Sequence, residues 1–528
     1  MKHKALALAL TAALLLSLTA CVSQTETSPS PDVPSSAEPS TEIRDSYPDA
    51  RNLVLADDTV TLDGGELSSG ETGDVTVSHD IVYYQNGTDD TYGEGTEADM
   101  HSAEEAAGHA VVTIRQPGTY RVSGRLSAGQ LAVDLGEDAR RDPQAVVTLI
   151  LDGVDITCTV APAVIFYNVY ECDESWVAYD EEETEDYAPS PIVDTSAAGA
   201  NVVLADGSVN NVSGSYVARI YKEGTTKKLH KYDGAFYSKM SMNIGSGDQD
   251  AGVLNITASN EGLDSELHLT INGGTINITA QNDGINTNED GVSVTTVNGG
   301  TLTVNAGLGE EGDGIDSNGH IVINGGAIYS MASDHSPDGG LDADGEILIN
   351  GGRVAALGVR NDAVSSGSGQ LYMELSFASP LPAGAEVELE GTSLSFTLEK
   401  GAQSILYSAP ELEQDVSYTL KVDGAVQQYT GHAGGGFGRP GGDFQPPEGQ
   451  DGFRPPEGQE PHRRPEDGGE PPQGSGGQQP PELPEGQDRP QRPQGDPGRS
   501  STGEEEEPSA DFTLTGSIRS FSGITGQS

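Results

Sequence analysis

The chain has 528 residues, with 83 Asp and Glu against 27 Lys and Arg, which gives a formal net charge of −56 at pH 7. Duplex binding depends on basic side chains that neutralise phosphates, so this charge excludes nucleic acid as a partner. It also argues against a folded surface that lies on anionic lipid. Only 34% of the residues are hydrophobic and 69 are Gly, so we expect turn-rich β structure and a part of the chain that does not fold.

The first 20 residues have the pattern of a secretory signal peptide. A basic start at residues 2–4 precedes an apolar run, Ala5–Leu18, whose 14 residues are too few to span a bilayer comfortably. The following Leu18-Thr19-Ala20-Cys21 resembles the bacterial lipobox, which predicts lipid modification at Cys21. The alternative is an ordinary signal peptide with a chance Cys. A lipid at Cys21 would anchor the secreted protein to the outer face of the bacterial cell membrane, as its only contact with membrane.

Two segments have the composition of disordered chain. Residues 22–50 are rich in Ser, Thr, Pro and Glu and have no apolar periodicity, which predicts a tether. Residues 433–510 repeat the sequence Pro-Pro-Glu-Gly-Gln and end in a run of Glu. Because Pro fixes φ and like charges repel, we expect this second segment to be extended and solvated.

Two further cysteines, Cys158 and Cys172, lie 14 residues apart. The secretory compartment is oxidising, so a disulfide that closes a short loop is one interpretation. Two free thiols are the other, and the sequence leaves both open.

An internal repeat occupies residues 254–366. Four Asn-Gly-Gly units place their first residue at a constant spacing of 26, at Asn272, Asn298, Asn324 and Asn350. A fixed period of this length, with β-branched residues around Gly-Gly turns and no helical periodicity, predicts short strands and one turn of a parallel β-helix per repeat. We expect the four Asn side chains to stack and to shape the turn.

A second motif, Gly-Ile/Leu-Asp/Asn, alternates with the first. Its Gly residues are spaced 22, 30 and 26 apart, and its polar positions are Asp264, Asn286, Asp316 and Asp342. The unequal spacing predicts a four-residue loop in each rung, around 288–291, within 307–312 and within 333–338. The acidic residues of these loops, which we expect to flank the corner of the Gly-Ile-Asp motif, are Glu289, Asp290, Glu310, Glu311, Asp334 and Asp338.

Stacked carboxylates predict a cation site. Adjacent rungs lie about 4.8 Å apart, where two carboxylates at an effective dielectric of about 20 repel by roughly 3–4 kcal/mol. Ca²⁺ suits such a set best, because it takes oxygen ligands from carboxylates and amides. The alternative is a solvated acidic corner with Asx-turn hydrogen bonds. The predicted metal ligands are Asp264, Asp283, Asn286, Asp313, Asp316, Asp338 and Asp342. The side chains predicted to contact a ligand are Glu289, Asp290, Glu310, Glu311 and Asp334.

The rest of the folded chain is predicted as follows. Residues 53–369 form the parallel β-helix, and residues 370–431 alternate as a small C-terminal β unit. Residues 511–523 alternate again, and we expect them to return as an edge strand because their apolar side chains need burial. The fold class is therefore all-β with disordered tails.

Several motifs together carry a family resemblance. They are Gly118–Gly124, Leu149–Val154, Val203–Gly207, Ala235–Lys239 and Ser404–Leu412, beside the two repeated motifs. With these motifs the chain resembles bacterial secreted carbohydrate-binding proteins of the right-handed parallel β-helix, pectate-lyase-like type, many of them lipid-anchored. The resemblance implies binding of a cellulose-type or an acidic, pectin-like polysaccharide, with Ca²⁺ at the Asp corners, by a monomer.

The chain departs from that family pattern in two places. Gly339 and Ser365 stand where Asp or Asn is expected, so cation binding should weaken toward the C-terminal rungs. The other departure is an acidic insertion, residues 171–198, which contains Trp176. The Trp is either an aromatic platform for a sugar or a hydrophobic anchor for the insertion, and we favour the anchor.

Three functions remain open on the sequence: a carbohydrate-binding protein of the cell surface, a Ca²⁺-dependent polysaccharide lyase, and an adhesin or spacer. A lyase needs a base, and Lys239 is only a weak candidate because it lies in no catalytic signature. We therefore favour a binding protein without enzymatic activity. Release of unsaturated uronides separates the lyase from the other two, and glycan binding with and without EDTA separates the first from the third.

Overall fold

A computed structural model of the chain describes residues 47–68, 73–84, 96–180, 187–218, 232–432, 508–515 and 519–526, all within the unit Ser46–Ser528. The expected signal peptide, the lipidation site Cys21, the tether as far as residue 46 and the expected disordered segment as far as residue 507 lie outside these residues. The described chain is mainly β. Its short helices are the α-helices Ala103–Ala107 and Glu174–Asp180 and the 3₁₀ turns Glu97–Asp99 and Glu137–Arg141.

Three ladders of strands run through residues 51–358, and most neighbours in each ladder pair in parallel. In the first ladder every successive pair is parallel; its strands are Arg51–Leu55, Gly118–Leu126, Val147–Thr157, Ala200–Leu204, Met242–Ser246, Leu269–Ile271, Val294–Val297, His320–Ile323 and Ile347–Ile349. The short strands Thr61–Leu62 and Gly65–Glu66 extend its first strand in antiparallel fashion.

The second ladder contains the Gly-Ile-Asp motifs. It begins with one antiparallel pair and is parallel thereafter; its strands are Val75–Ser78, Ala110–Ile114, Gly129–Asp134, Val164–Asn168, Gly234–Ser238, Glu261–Ser265, Ile285–Thr287, Ile315–Ser317 and Leu341–Ala343.

The third ladder shares the ends of two long strands of the first. It continues in parallel through Val209–Gly214, Val253–Ala258, Thr275–Ala280, Thr301–Asn305, Ala327–Met331 and Arg353–Gly358. Apolar residues at equivalent positions of all three ladders stack inside. Examples are Ile276 and Leu302 of the third ladder and Ile285 and Ile315 of the second, all almost without exposed surface. Burial of this apolar surface is the main favourable term for the stacked strands.

A second core belongs to the C-terminal β unit. Its strands are Tyr372–Leu381, Glu386–Leu389, Ser395–Thr397, Ala402–Ser408, Ser417–Tyr418, Leu420–Val422, Ala425–Gln428, Gly431–His432, Phe512–Thr513 and Ser520–Gly526. Ala402–Ser408 joins the unit to the ladders by antiparallel pairing with Arg353–Gly358. Residues 508–515 and 519–526 lie in this unit, where Ser520–Gly526 pairs in parallel with Tyr372–Leu381.

The environments of the two thiols and of the Trp decide between the alternatives that the sequence left open for them. Cys158 lies in the main core and Cys172 beside the carboxylate of Glu171, so they form no disulfide. Trp176 is buried with Val177, and the Arg140 guanidinium lies 4.6 Å above its ring. The Trp therefore anchors the helix of the insertion, as favoured from the sequence. Among the described residues, no helix is both long enough and apolar enough to cross a membrane.

Candidate functional site

The second ladder places the polar residues of the Gly-Ile-Asp motif in one row. Asp264 is the register partner of Asn286, and Asp316 is the partner of Asp342. The pairing of Ile285 with Ile315 joins these two halves of the row. The four positions therefore succeed one another along the ladder in the order that their sequence spacing predicts.

The glycine of the motif permits this close stacking. A Cβ atom at Gly284 would lie 2.1 Å from Cγ1 of Val304 and 2.6 Å from the carbonyl oxygen of Gly314. Any side chain at this position would push the rungs apart, so the motif needs Gly for the approach of the backbone.

A second row of carboxyl groups lies beside the first. The backbone N–H of Asp313 donates to Oδ1 of Asp283 at 2.7 Å, and the N–H of Gly339 donates to Oδ1 of Asp313 at 2.7 Å. Each of these two carboxylates thus accepts a hydrogen bond from the equivalent backbone group of the next rung. Because Gly339 has no carboxylate, the row ends at that rung.

Burial and mutual repulsion keep these carboxyl groups from ionising easily. Burial, with the nearby carboxylates of Asp338 and Asp342, raises the pKa of Asp283 to about 7. Burial and Asp283 raise the pKa of Asp313 to about 9 and that of Asp316 to about 8. Burial and Asp362 raise the pKa of Asp342 to about 6. Backbone hydrogen bonds oppose the rise at Asp283 and Asp313 without cancelling it.

The first half of the row is more deeply buried than its second half. Asp264 has no exposed surface, and its Oδ1 accepts a hydrogen bond from Nδ2 of Asn288 at 2.6 Å. Nδ2 of Asn286 donates to Oε1 of Glu261 at 3.2 Å, while the buried Oδ1 of Asn286 accepts no hydrogen bond. Side chains around Asp264 and Asn286 therefore form an internal polar network, whereas Asp316 and Asp342 are partly exposed.

The three acidic loops do not share one corner as expected. The loop with Glu289 and Asp290 follows its second-ladder strand, Ile285–Thr287, and Asp290 accepts a hydrogen bond from Nδ2 of Asn318 at 2.7 Å. The loops at 307–312 and 333–338 precede their second-ladder strands. The expectation was wrong because the first four-residue insertion falls in a different connection of the rung from the other two.

The acidic side chains of the loops at 307–312 and 333–338 differ in exposure and in hydrogen bonding. Glu310 and Glu311 are exposed. Asp338 accepts from the N–H of Gly312 at 2.7 Å and from the hydroxyl of Ser336, and Asp334 accepts from the N–H of Gly401 at 3.0 Å. Asp334 and Asp338 thus order their loop, while Glu310 and Glu311 extend from the surface beside it.

The chemistry of this set suits a hard cation, although the side chains are not gathered around one point. Carboxylate oxygens and the amide oxygen of Asn286 are the ligand types that Ca²⁺ takes. In the part of the chain that the structure describes, no three His, Cys, Asp or Glu side chains are grouped so as to hold a metal ion.

Two lysines, Lys239 and Lys400, are the candidates for a catalytic base. Lys239 is exposed at the turn after Gly234–Ser238, so its side chain is open to solvent. Lys400, which the sequence did not single out, donates from Nζ to the carbonyl oxygen of Ala306, and burial lowers its pKa to about 8. Asp334 lies close enough to oppose this fall. Nothing in the sequence around Lys400 signals burial, because the contact with Ala306 joins residues far apart in the chain.

Comparisons with known proteins identify the family. A family model described as carbohydrate-binding domain-containing protein matches residues 108–187 and 177–399, which is more than half of the chain. The chain therefore belongs to this family. No curated protein matches it. Among solved structures, the polysaccharide lyase-like protein from C. thermocellum, a gadolinium derivative, is similar at 20% identity with a TM-score of 0.31; the match covers 57% of this chain and 92% of that chain.

Proposed function

We propose that this member of the carbohydrate-binding domain-containing family is a cell-surface protein that binds polysaccharide, with Ca²⁺ held by carboxyl groups of the second ladder. Membership of this family is the observation that supports a polysaccharide as the ligand. We further propose that the three ladders are the faces of a right-handed parallel β-helix and that the protein acts as a monomer. Parallel pairing of strands one rung apart along all three ladders supports this architecture.

The proposed metal ligands are Asp283, Asp313, Asp316 and Asp342, with Asp338 at the adjoining loop. Their raised pKa values mean that the folded protein must either keep protons on these groups or gain a cation near them. Binding would require these side chains to turn toward a common point. Arg360 lies close enough to Asp342 to oppose the rise of its pKa, and Ca²⁺ would supply further positive charge to the row.

Partial exposure supports a role in ligand binding for the second half of the row, Asp316 and Asp342. Asp316 and Asp342 are partly exposed, so a glycan could approach them, and the exposed Glu310 and Glu311 lie in the loop that precedes Ile315–Ser317. A surface of this charge repels a polyuronate. A cation shared between protein carboxylates and uronate carboxylates would replace that repulsion with attraction.

Replacing Asp316 and Asp342 together by Asn is expected to weaken Ca²⁺-dependent binding of polygalacturonate at least 10-fold. Asn keeps the shape of the side chain but removes both negative charges, so the attraction between the site and the cation is weakened. Isothermal titration calorimetry in millimolar Ca²⁺ and in EDTA measures the change. The control is Glu386→Gln with Glu388→Gln, which removes the same charge from exposed positions of the C-terminal unit. Equal binding by the two double variants contradicts the site.

A Ca²⁺-dependent polysaccharide lyase is the second candidate, because Lys400 is a partly buried base next to the acidic loop at 333–338. Abstraction of the proton α to a uronate carboxyl requires such a base. Ultraviolet absorbance of unsaturated uronides, followed with polygalacturonate and Ca²⁺, distinguishes the two. Absorbance that rises with the wild type and not with Lys400→Gln would establish the lyase.

The lipid anchor at Cys21 is proposed from the Leu18–Cys21 motif, with residues 22–50 as the tether. Changing Cys21 to Ser is expected to move the protein from the membrane to the soluble fraction, because a chain with net charge −56 has no other affinity for anionic lipid. Fractionation of bacterial cells followed by immunoblotting measures the shift. A Cys21→Ser variant that remains with the membranes argues against the anchor.

A further inference from the structure

A polar groove runs along the first ladder, on a different face from the carboxyl rows. Its volume is about 530 Å³. Its floor includes a row of hydroxyl and amide side chains at successive register positions: Thr148, Asn201, Asn243, Thr270 and Thr296. The row follows the stacking direction, so the groove crosses the strands.

Residues 193–196 of the acidic insertion form a wall of this groove. Thr195 fixes the wall to the floor: its Oγ1 donates to Oδ1 of Asn243 at 2.8 Å and lies 2.7 Å from Oγ1 of Thr270. Nδ2 of Asn243 in turn donates to the carbonyl oxygen of Thr195 at 2.7 Å. The groove is therefore formed before any ligand arrives.

The repeated Asn residues supply a second row on the same floor. Nδ2 of Asn298 donates to Oδ1 of Asn272, and Nδ2 of Asn324 donates to Oδ1 of Asn298, both at 2.9 Å. An amide has two N–H donors and two acceptor lone pairs, so each bond along the row uses one of each. These exposed side chains retain donors and acceptors for a ligand, repeated about every 4.8 Å.

The charge of the groove differs from that of the protein. Asp194 is the single carboxylate among the described residues that line it, and no Lys or Arg lines it. An uncharged ligand can thus lie there without a cation. Thr195 covers Asn243 and Thr270, so the part of the floor left for a ligand is Thr296 with the exposed row of Asn272, Asn298 and Asn324. A polymer with hydroxyl groups at regular intervals matches this row of amides.

We propose that this groove binds an uncharged polysaccharide, with the sugar chain parallel to the stacking direction and without metal. The inference rests on the proposed function and deepens it by assigning uncharged glycans to a surface separate from the carboxyl rows. The chain would then have two binding faces, one independent of Ca²⁺ and one that requires it.

Gly245 offers a clean way to fill the groove. A Cβ atom there would meet only Cβ of Asn272, at 3.9 Å, and the residue has no positive φ, so a larger side chain enters the groove without backbone strain. The matched control is Gly73→Leu. A Cβ atom at Gly73 would meet only the carbonyl oxygen of Val75, at an ordinary contact distance of 3.6 Å, and Gly73 also has no positive φ and lies outside the groove. Thr296→Val, which keeps the side-chain shape and removes one floor hydroxyl, is the second variant.

The experiment is isothermal titration calorimetry of the full chain in EDTA with cellohexaose, mannohexaose and xylohexaose. We expect at least one hexaose to bind the wild type and the Gly73→Leu variant alike, to bind Gly245→Leu at least 10-fold more weakly, and to bind Thr296→Val several-fold more weakly. Polygalacturonate binding in Ca²⁺ should be the same in all four proteins.

Several outcomes would overturn the proposal. Unchanged hexaose binding by Gly245→Leu and Thr296→Val places the ligand elsewhere. Wild type that binds polygalacturonate but none of the hexaoses rejects the groove and leaves the proposed function standing. Wild type that binds no glycan in either condition rejects both. Circular dichroism of each variant establishes that the fold is retained.

Discussion

Replacing Phe521 by Ala is expected to lower the free energy of unfolding of the C-terminal β unit by about 3–5 kcal/mol. Phe521 has no exposed surface, and its ring centroid lies 5.1 Å from that of Phe512 and 4.9 Å from that of Tyr429. Alanine removes these ring contacts and leaves a cavity between the returning strand and the unit. Thermal unfolding followed by circular dichroism, with limited proteolysis to locate the unfolded part, measures the loss.

Thr525→Ala is the matched control for this change. Thr525 lies on the same strand, Ser520–Gly526, but its side chain is exposed. Substitutions at such surface positions usually change the free energy of unfolding by no more than about 0.5 kcal/mol. If Phe521→Ala costs no more than Thr525→Ala, the strand after residue 519 does not stabilise the C-terminal unit.

Features set by the local repeat could be predicted from the sequence. The constant spacing of 26 between the Asn residues places Asn272, Asn298 and Asn324 side by side, and the amide hydrogen bonds along this row confirm the prediction. The Gly-Gly turn is equally local: Gly300 has φ of +85°, which a residue with a side chain rarely adopts. A repeat fixes these features because each rung has the same contacts as its neighbours.

Features that depend on the path of each loop could not be predicted. The motif spacing locates each four-residue insertion in the chain but does not show where the inserted side chains lie in the fold. The loop of Glu289 and Asp290 lies at the opposite end of the second-ladder strand from the other two, so the three loops do not meet at one corner. The depth of Asp264 was also missed, because no local pattern signals that its side chain is fully buried and accepts a hydrogen bond from Asn288.

The groove was missed for a similar reason. Its wall comes from the insertion at 171–198, which has no repeat to position it. Thr195 meets Asn243 and Thr270 across 48 and 75 residues of chain, and sequence periodicity does not report such contacts. Sequence reasoning favoured the acidic residues because charge is visible in a sequence, whereas a neutral concave surface is not.

A rise of pH in the absence of divalent cations is expected to destabilise the protein. The pKa values of Asp283, Asp313 and Asp316, at about 7, 9 and 8, lie above the usual value of 3.8. The folded protein therefore holds protons that the unfolded chain has released, and ∂ΔG/∂pH is negative between the two values. The contribution of these groups is complete below about pH 4 and is lost as the pH rises toward about 9.

Thermal unfolding in EDTA measures this loss, and we expect Tm to fall by about 5 °C or more between about pH 5 and about pH 8.5, because each pKa unit corresponds to about 1.4 kcal/mol. Millimolar Ca²⁺ should restore Tm at the higher pH, since a cation that binds only the folded protein adds RT ln(1 + [L]/Kd) to its stability.

Asp316→Asn with Asp342→Asn should flatten the pH dependence and reduce the effect of Ca²⁺, whereas Glu386→Gln with Glu388→Gln should change neither. A Tm that does not depend on pH would mean that the carboxyl groups are solvated well enough to ionise without cost. A Tm that falls with pH but does not respond to Ca²⁺ would mean that protons alone relieve the repulsion, and the proposed metal site would then be wrong.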